Sequence, residues 1–188
     1  MNIEISIIIP TINRYNDLKN TLNDLSKQSF KNYEILIIDQ TNKEIAQEII
    51  FEKTSYFLES FKSASKARNL GLKLAKAPIV LFLDDDVIIE DPYFLHNHFR
   101  HYADENIHGV IGCPLEQQIN QKARYERHWM SYRDHEVGWL YFPSNYGCNT
   151  FVGVGRSNNL SARKASAIAV GGGGEELFSD WELLALRF

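Results

Sequence analysis

Cysteine is nearly missing from this chain: 188 residues hold two, Cys113 and Cys148. They show neither CxxC spacing nor a surrounding histidine cluster, which argues against a disulfide framework and a zinc ribbon and points to a reducing compartment. Long apolar runs are also lacking. Nothing approaches the roughly 20 consecutive apolar residues that cross a bilayer. The apolar start from Ile3 to Ile9 carries Glu4, without a basic leader or a small-residue cleavage site, and reads as a strand. A basic excess is missing too. The formal net charge is −4, which argues against a nucleic-acid partner held by a basic face and leaves phosphate binding to a local site. No internal repeat is present. The segment after the first strand, Pro10-Thr11-Ile12-Asn13-Arg14, has no glycine. The tetraglycine from Gly171 to Gly174 reads as a flexible turn, because no strand immediately precedes it and no acid follows at dinucleotide-fold distance.

What is present is ordinary globular material, 44% hydrophobic and 12% aromatic, enough for one domain with a sizeable core. Ile3 to Ile9 is β-branched and nearly continuous, as in a central parallel strand covered on both faces. Asn16 or Asp17 is expected to cap a helix through Leu18, Leu22 and Leu25. Tyr33 to Ile38 repeats the strand pattern and ends at Asp39. Ala64 to Ala77 is expected to be helical, stopped by Pro78, and Ile79 to Leu83 supplies another strand. Pro92 to Tyr102 reads as a helix opened by Asp91-Pro92, and Gly109 to Cys113 as a short strand. This alternation predicts an α/β fold with a doubly wound, mostly parallel sheet. Residues 114–150 lose periodicity and read as a loop-rich substrate region, while order returns at Ser157 to Lys164. The pattern still looks helical at Phe188, so the natural protein is expected to continue.

The chemistry concentrates in Asp84-Asp85-Asp86, which follows directly on the apolar strand Ile79 to Leu83. Adjacent carboxylates at the mouth of such a strand repel one another, so a cation or a row of donors is needed to neutralise them. Mg²⁺ or Mn²⁺ suits oxygen ligands and can bridge carboxylate to phosphate. A solvated acidic turn that caps the next element is the plainer alternative.

Five segments in order carry a resemblance: Ser6-Ile7-Ile8-Ile9-Pro10-Thr11-Ile12-Asn13-Arg14, Ile37-Ile38-Asp39-Gln40, Ala67-Arg68-Asn69-Leu70-Gly71, Leu83-Asp84-Asp85-Asp86 and Ser179-Asp180-Trp181-Glu182-Leu183. Together they resemble the inverting family 2 glycosyltransferases of the GT-A fold, a Rossmann-like doubly wound sheet with helices on both faces. The resemblance implies one catalytic domain over 1–188, with a nucleotide-binding half at 1–113 and an acceptor and donor-sugar half at 114–188. It places Pro10, Thr11 and Arg14 near the nucleotide and has Asp39 accept a hydrogen bond from a base ring N–H. Arg68 contacts the nucleotide, Asp84 the ribose hydroxyls and Asp85 a supporting position, while Asp86 ligates Mn²⁺ or Mg²⁺. Asp180 becomes the base that deprotonates the acceptor hydroxyl. Ser179 stands where the family usually has Glu, which leaves the Asp role intact but removes a neighbouring acid.

Each residue also has a structural reading: Asp39 as a turn former, Arg14 as an exposed helix-start charge, Lys66 and Arg68 as solvated helix charges, Asp180 as a helix cap. Trp129, Trp139 and Trp181 could stack on sugars, although aromatics are more often core. Asn158 and Asn159 fall where family members line the acceptor or donor-sugar pocket, and turn-forming asparagine is the cheaper reading. His98 and His101 are expected on a solvated helix surface, since no acid or cysteine completes a ligand set with them.

The function expected is sugar transfer from a UDP- or dTDP-linked donor to a hydroxyl of a glycan or lipid-linked saccharide. It would take place in the cytoplasm, at the inner face of the membrane where the protein associates peripherally. The rivals are a sugar nucleotidyltransferase, disfavoured by the glycine-free turn after the first strand, and an inactive or truncated nucleotide-sugar binding module.

Overall fold

The structure, a computed structural model, describes residues 2–112 and 158–173. Strand β1 (Ile5–Thr11) is buried along its length and lies parallel to β2 (Tyr33–Asp39) and to β4 (Ile79–Leu83). A run of β-branched residues stiff at χ1 favours the extended chain, and burial on both faces favours a nearly continuous apolar run over an alternating one. Strand β3 (Thr54–Leu58) adds in parallel outside β2. Beyond β4 the direction reverses: β6 (Asn159–Arg163) pairs antiparallel with β4, and β5 (Gly109–Ile111) antiparallel with β6. The six strands run in the order β3-β2-β1-β4-β6-β5, the mostly parallel sheet anticipated from sequence.

Helices cover both faces. α1 (Tyr15–Ser26) sets Leu18, Leu22 and Leu25 against Ile5, Ile7, Ile9, Ile35 and Ile37, and α3 (Phe94–Phe99) adds Leu95 to the same core. On the other face α2 (Ala64–Leu74) and α4 (Lys164–Ala169) bring Leu72 and Ala167 to Ile8, Leu36, Val80 and Phe82. Gly71 makes this approach close, since a Cβ there would stand 2.3 Å from Ile8 Cγ2.

Several boundaries differ from expectation for identifiable reasons. Neither Asn16 nor Asp17 caps α1. Arg14 occupies that position without a side-chain cap bond, and Asp17 lies in the first turn. α2 stops at Leu74 because the next amides have partners elsewhere: Lys76 N–H donates to Glu34 Oε1 at 2.8 Å and Ala77 N–H to Ser6 Oγ at 3.0 Å. α3 is short and continues as a 3-10 turn, Arg100–Ala103. β3 is an addition to the reading from sequence, which assigned no element to residues 54–58, and β6 falls where order was expected to return, with Asn159 in a strand instead of a turn. Among the described residues, no helix is long and apolar enough to cross a membrane.

Candidate functional site

β1, β2 and β4 end together, so Thr11, Asp39 and the acids after Leu83 converge on one edge of the sheet, the edge where open α/β folds receive ligands. Asn13 takes a left-handed φ of 57°, a conformation asparagine tolerates, and donates its N–H to Thr41 Oγ1 at 2.8 Å. The chain thereby turns so that Arg14 reaches the end of β4.

The acidic triplet is divided rather than pooled. Asp85 points inward and is buried, with Oδ2 receiving the Thr11 hydroxyl at 2.6 Å and Oδ1 receiving Arg14 Nη1 at 2.9 Å. Its backbone carbonyl accepts the Thr21 hydroxyl from α1 at 2.9 Å. Asp86 is half-exposed and meets Arg14 Nη2 through Oδ2 at 3.0 Å. One guanidinium therefore bridges two neighbouring carboxylates, whose charges raise the Arg14 pKa. Asp84 faces the α2 side and accepts Arg68 Nη2 at 2.8 Å. Desolvation pushes the Asp84 and Asp85 carboxyls up, against the opposing pull of Arg68 on the first and of Thr11 and Arg14 on the second. Two arginines and a threonine thus supply the donors that the triplet needs.

Arg68 is nine-tenths buried, yet its Nε has no hydrogen-bond partner among the described residues. A buried orphan donor is costly, and an arriving anion or hydroxyl would relieve it. The adjacent Asn69 does different work: its amide donates to Gly173 O at 2.9 Å and accepts Gly173 N–H at 2.8 Å. The glycine turn expected to be flexible is thus pinned to α2 through Gly173. Gly172, at φ +71°, lies where a Cβ would stand 2.4 Å from Asn69 Oδ1.

Asp39 is 0% exposed and satisfied within the protein. Its Oδ2 takes the hydroxyls of Tyr15 at 2.8 Å and Tyr56 at 2.6 Å, and Oδ1 takes Thr41 N–H at 2.8 Å. Burial and the adjacent carboxylate push the Tyr56 hydroxyl pKa up, so it remains a donor. Pro10 is buried in β1. Of the residues singled out from sequence, Arg14, Asp84 and Asp86 thus form the accessible rim, while Pro10, Thr11, Asp39, Arg68 and Asp85 lie beneath it. Asp180, Trp129, Trp139 and Trp181 lie outside the described residues.

Sequence reasoning missed Tyr15, Tyr56 and Thr21, which no local pattern distinguishes from core or helix-surface positions. It also misplaced His98, which is buried instead of solvated. The cause is β6, which brings Ser161 Oγ to 2.9 Å from His98 Nδ1 and Asn159 Oδ1 to 2.9 Å from Nε2. Burial pushes the His98 pKa down to about 4.

No group of three or more His, Cys, Asp or Glu able to hold a metal occurs among the described residues. The donor set that exists fits a different mode. Mg²⁺-type ions commonly use one or two protein carboxylates and take the remaining ligands from phosphate and water, and half-exposed Asp86 keeps Oδ1 without a hydrogen bond among the described residues.

A mostly parallel α/β sheet covered on both faces, with arginine-neutralised acids at its carboxyl edge, defines a Rossmann-like protein of the GT-A architecture. Solved structures share this fold. A mannosyltransferase from Pyrobaculum calidifontis, in complex with GDP-Man and Mn²⁺, superposes with a TM-score of 0.67 at 14% identity, covering 96% of this chain and 50% of that one. S. aureus TarS 1-349 in complex with UDP-GlcNAc gives 0.64 at 20% identity, covering 94% and 50%. The chain belongs to glycosyl transferase family 2, whose family model matches residues 6–160. Among curated relatives, the poly(ribitol-phosphate) beta-N-acetylglucosaminyltransferase TarP of Staphylococcus aureus is 30% identical over 135 residues, 66% of this chain and 41% of that protein. An uncharacterized glycosyltransferase of Haemophilus influenzae is 35% identical over 85 residues, 44% of this chain and 29% of that protein. The chain thus spans less than half the length of either relative.

Proposed function

We propose that this protein transfers a sugar, with inversion, from a nucleoside diphosphate donor, UDP- or dTDP-linked, to a hydroxyl of a glycan or lipid-linked saccharide. Residues 1–113 serve the nucleotide and 114–188 the sugar and acceptor, working from the cytoplasm at the inner membrane face. The observation that supports this reading best is the rim itself: Arg14 spans Asp85 and Asp86 while Arg68, with an unpartnered buried Nε, holds Asp84. Such a set can exchange internal ion pairs for a diphosphate and a ribose without leaving charge uncompensated.

In this reading Arg14 and Arg68 bind phosphate or ribose oxygens, and Asp84 accepts the ribose hydroxyls. Asp86 would hold Mn²⁺ or Mg²⁺, which when bound supplies charge stabilisation to the departing diphosphate. Thr11 and Asp85 fix the position of Arg14 from below, and Pro10 fixes the strand end. Asp39 reaches a base N–H only if its cover shifts, with the second lone pair of Oδ1 as the acceptor left to offer. Asp180 removes the acceptor proton as the hydroxyl attacks the anomeric carbon.

Release of nucleoside diphosphate from UDP-, dTDP- and GDP-sugars with Mn²⁺, in the unaltered chain and in Asp180→Asn, tests the reading. The variant should keep donor affinity and lose about 10²- to 10⁴-fold in turnover, the range for a general base. Equal turnover in both removes Asp180 from the mechanism, and no nucleotide binding to either removes the donor assignment.

A further inference from the structure

Beside the rim, and unused by the chemistry above, lies a buried polar chain with one direction. Tyr102 donates its hydroxyl to Ser161 Oγ at 2.8 Å. Ser161 has two acceptors within reach for its own proton, His98 Nδ1 at 2.9 Å and Val110 O at 3.5 Å, and the shorter contact is the stronger. His98 Nδ1 is then the acceptor, so in the neutral ring the proton sits on Nε2, which faces Asn159 Oδ1 at 2.9 Å. The opposite end gives the same answer, because a carbonyl oxygen can only accept. Each O–H or N–H therefore points toward Asn159, and the amide Nδ2 is the terminal donor.

Two features fix where that donor lies. Asn159 is the register partner of Leu83, the residue before the acidic triplet, so it stands at the carboxyl edge of β4. Gly112 donates its N–H to Asn159 O at 2.9 Å, and a Cβ on Gly112 would stand 2.0 Å from Nδ2, so the glycine reserves the space the amide occupies. The Nδ2 group has no hydrogen-bond partner among the described residues. A rigid donor at the site's edge, oriented from behind by a buried ring, has the form of a specificity contact.

We propose that His98 is a positioning residue that presets the Asn159 amide to donate to a hydroxyl of the sugar carried on the diphosphate. This rests on the nucleotide-sugar reading of the site. His98 touches no ligand itself. It fixes which end of the amide faces outward, and the sugar's hydroxyl oxygen accepts.

Calorimetric titration with UDP, UDP-GlcNAc, GDP and GDP-mannose in Mn²⁺ separates the parts. For whichever nucleotide binds, His98→Leu should leave the bare diphosphate within about twofold while the sugar conjugate weakens about tenfold, as loss of one oriented hydrogen bond requires. His98→Gln, whose amide can still donate to Asn159, should recover most of that loss. If His98→Leu does not fold, Asn159→Ala carries the test with the same expected split. Equal weakening of diphosphate and conjugate, or no change in either, overturns the proposal. An unaltered chain that binds none of the four ligands overturns the underlying donor reading instead.

Discussion

Thr11 and Asp85 stand 74 residues apart in sequence and share a 2.6 Å hydrogen bond between buried side chains. The bond joins the ends of β1 and β4 and fixes the carboxylate that orients Arg14. Thr11→Val keeps the shape and removes the donor. A loss of about 1–3 kcal/mol in urea unfolding is expected, the cost of an unsatisfied buried acceptor. The Thr11 bond favours the ionised carboxylate, so the deficit should grow from pH 4 to pH 8. A pH-independent deficit would argue against it.

Arg68 offers a sharper functional test. Arg68→Met should weaken nucleoside diphosphate binding by tenfold or more. Arg68→Lys should recover only part, because an ammonium cannot hold Asp84 and an oxyanion with one planar fork. Titration calorimetry with UDP and GDP reads this directly. Undiminished affinity in the Met variant would remove Arg68 from the site.

His98 sets a pH dependence whose sign follows from its burial. The unfolded ring takes up a proton near pH 6.5, whereas the folded one waits until about pH 4. Between those values the unfolded state binds the extra proton, so stability falls as pH drops from 6.5 toward 4 and is flat above. The full difference is about 3 kcal/mol at 1.36 kcal/mol per unit. Denaturation midpoints for the unaltered chain and His98→Gln should be farthest apart above pH 6.5 and converge as the pH falls toward 4. Parallel curves would show that another group dominates.

Gly71 tests the packing of α2 on β1. Alanine gains about 1 kcal/mol of helix propensity over glycine, but its Cβ would stand 2.3 Å from Ile8 Cγ2 in a fully buried position. Overpacking of this kind costs about 1–3 kcal/mol, so Gly71→Ala should be net destabilising. Paired with Ile8→Ala, the coupling should be favourable by about 0.5–3 kcal/mol in a double-mutant cycle. Additive losses would place the strain elsewhere.

The central strands were legible because burial on both faces leaves a continuous apolar run, as in Ile5–Thr11 and Ile79–Leu83. β6 was not, because its α3-facing side is polar. Asn159, Ser161 and Arg163 alternate with Leu160 and Ala162, and this period of two was the available signal. The acidic triplet announced a site, but composition alone could not say that Asp85 would turn inward and Asp84 toward Arg68. That division follows from partners on separate elements: Thr11 at the end of β1 and Arg14 just beyond it for Asp85, and Arg68 of α2 for Asp84. The Tyr15–Asp39–Tyr56 clamp joins three separate elements and has no local signature.

The reversal of direction between β4 and β6 bears on how the molecule is made. β4 is central only once Asn159–Arg163 has arrived. While the ribosome is still adding residues 84–158, the row of amides and carbonyls on that strand's outer side lies open to any passing extended peptide. Crowded synthesis is then a condition under which this strand is exposed to misassembly.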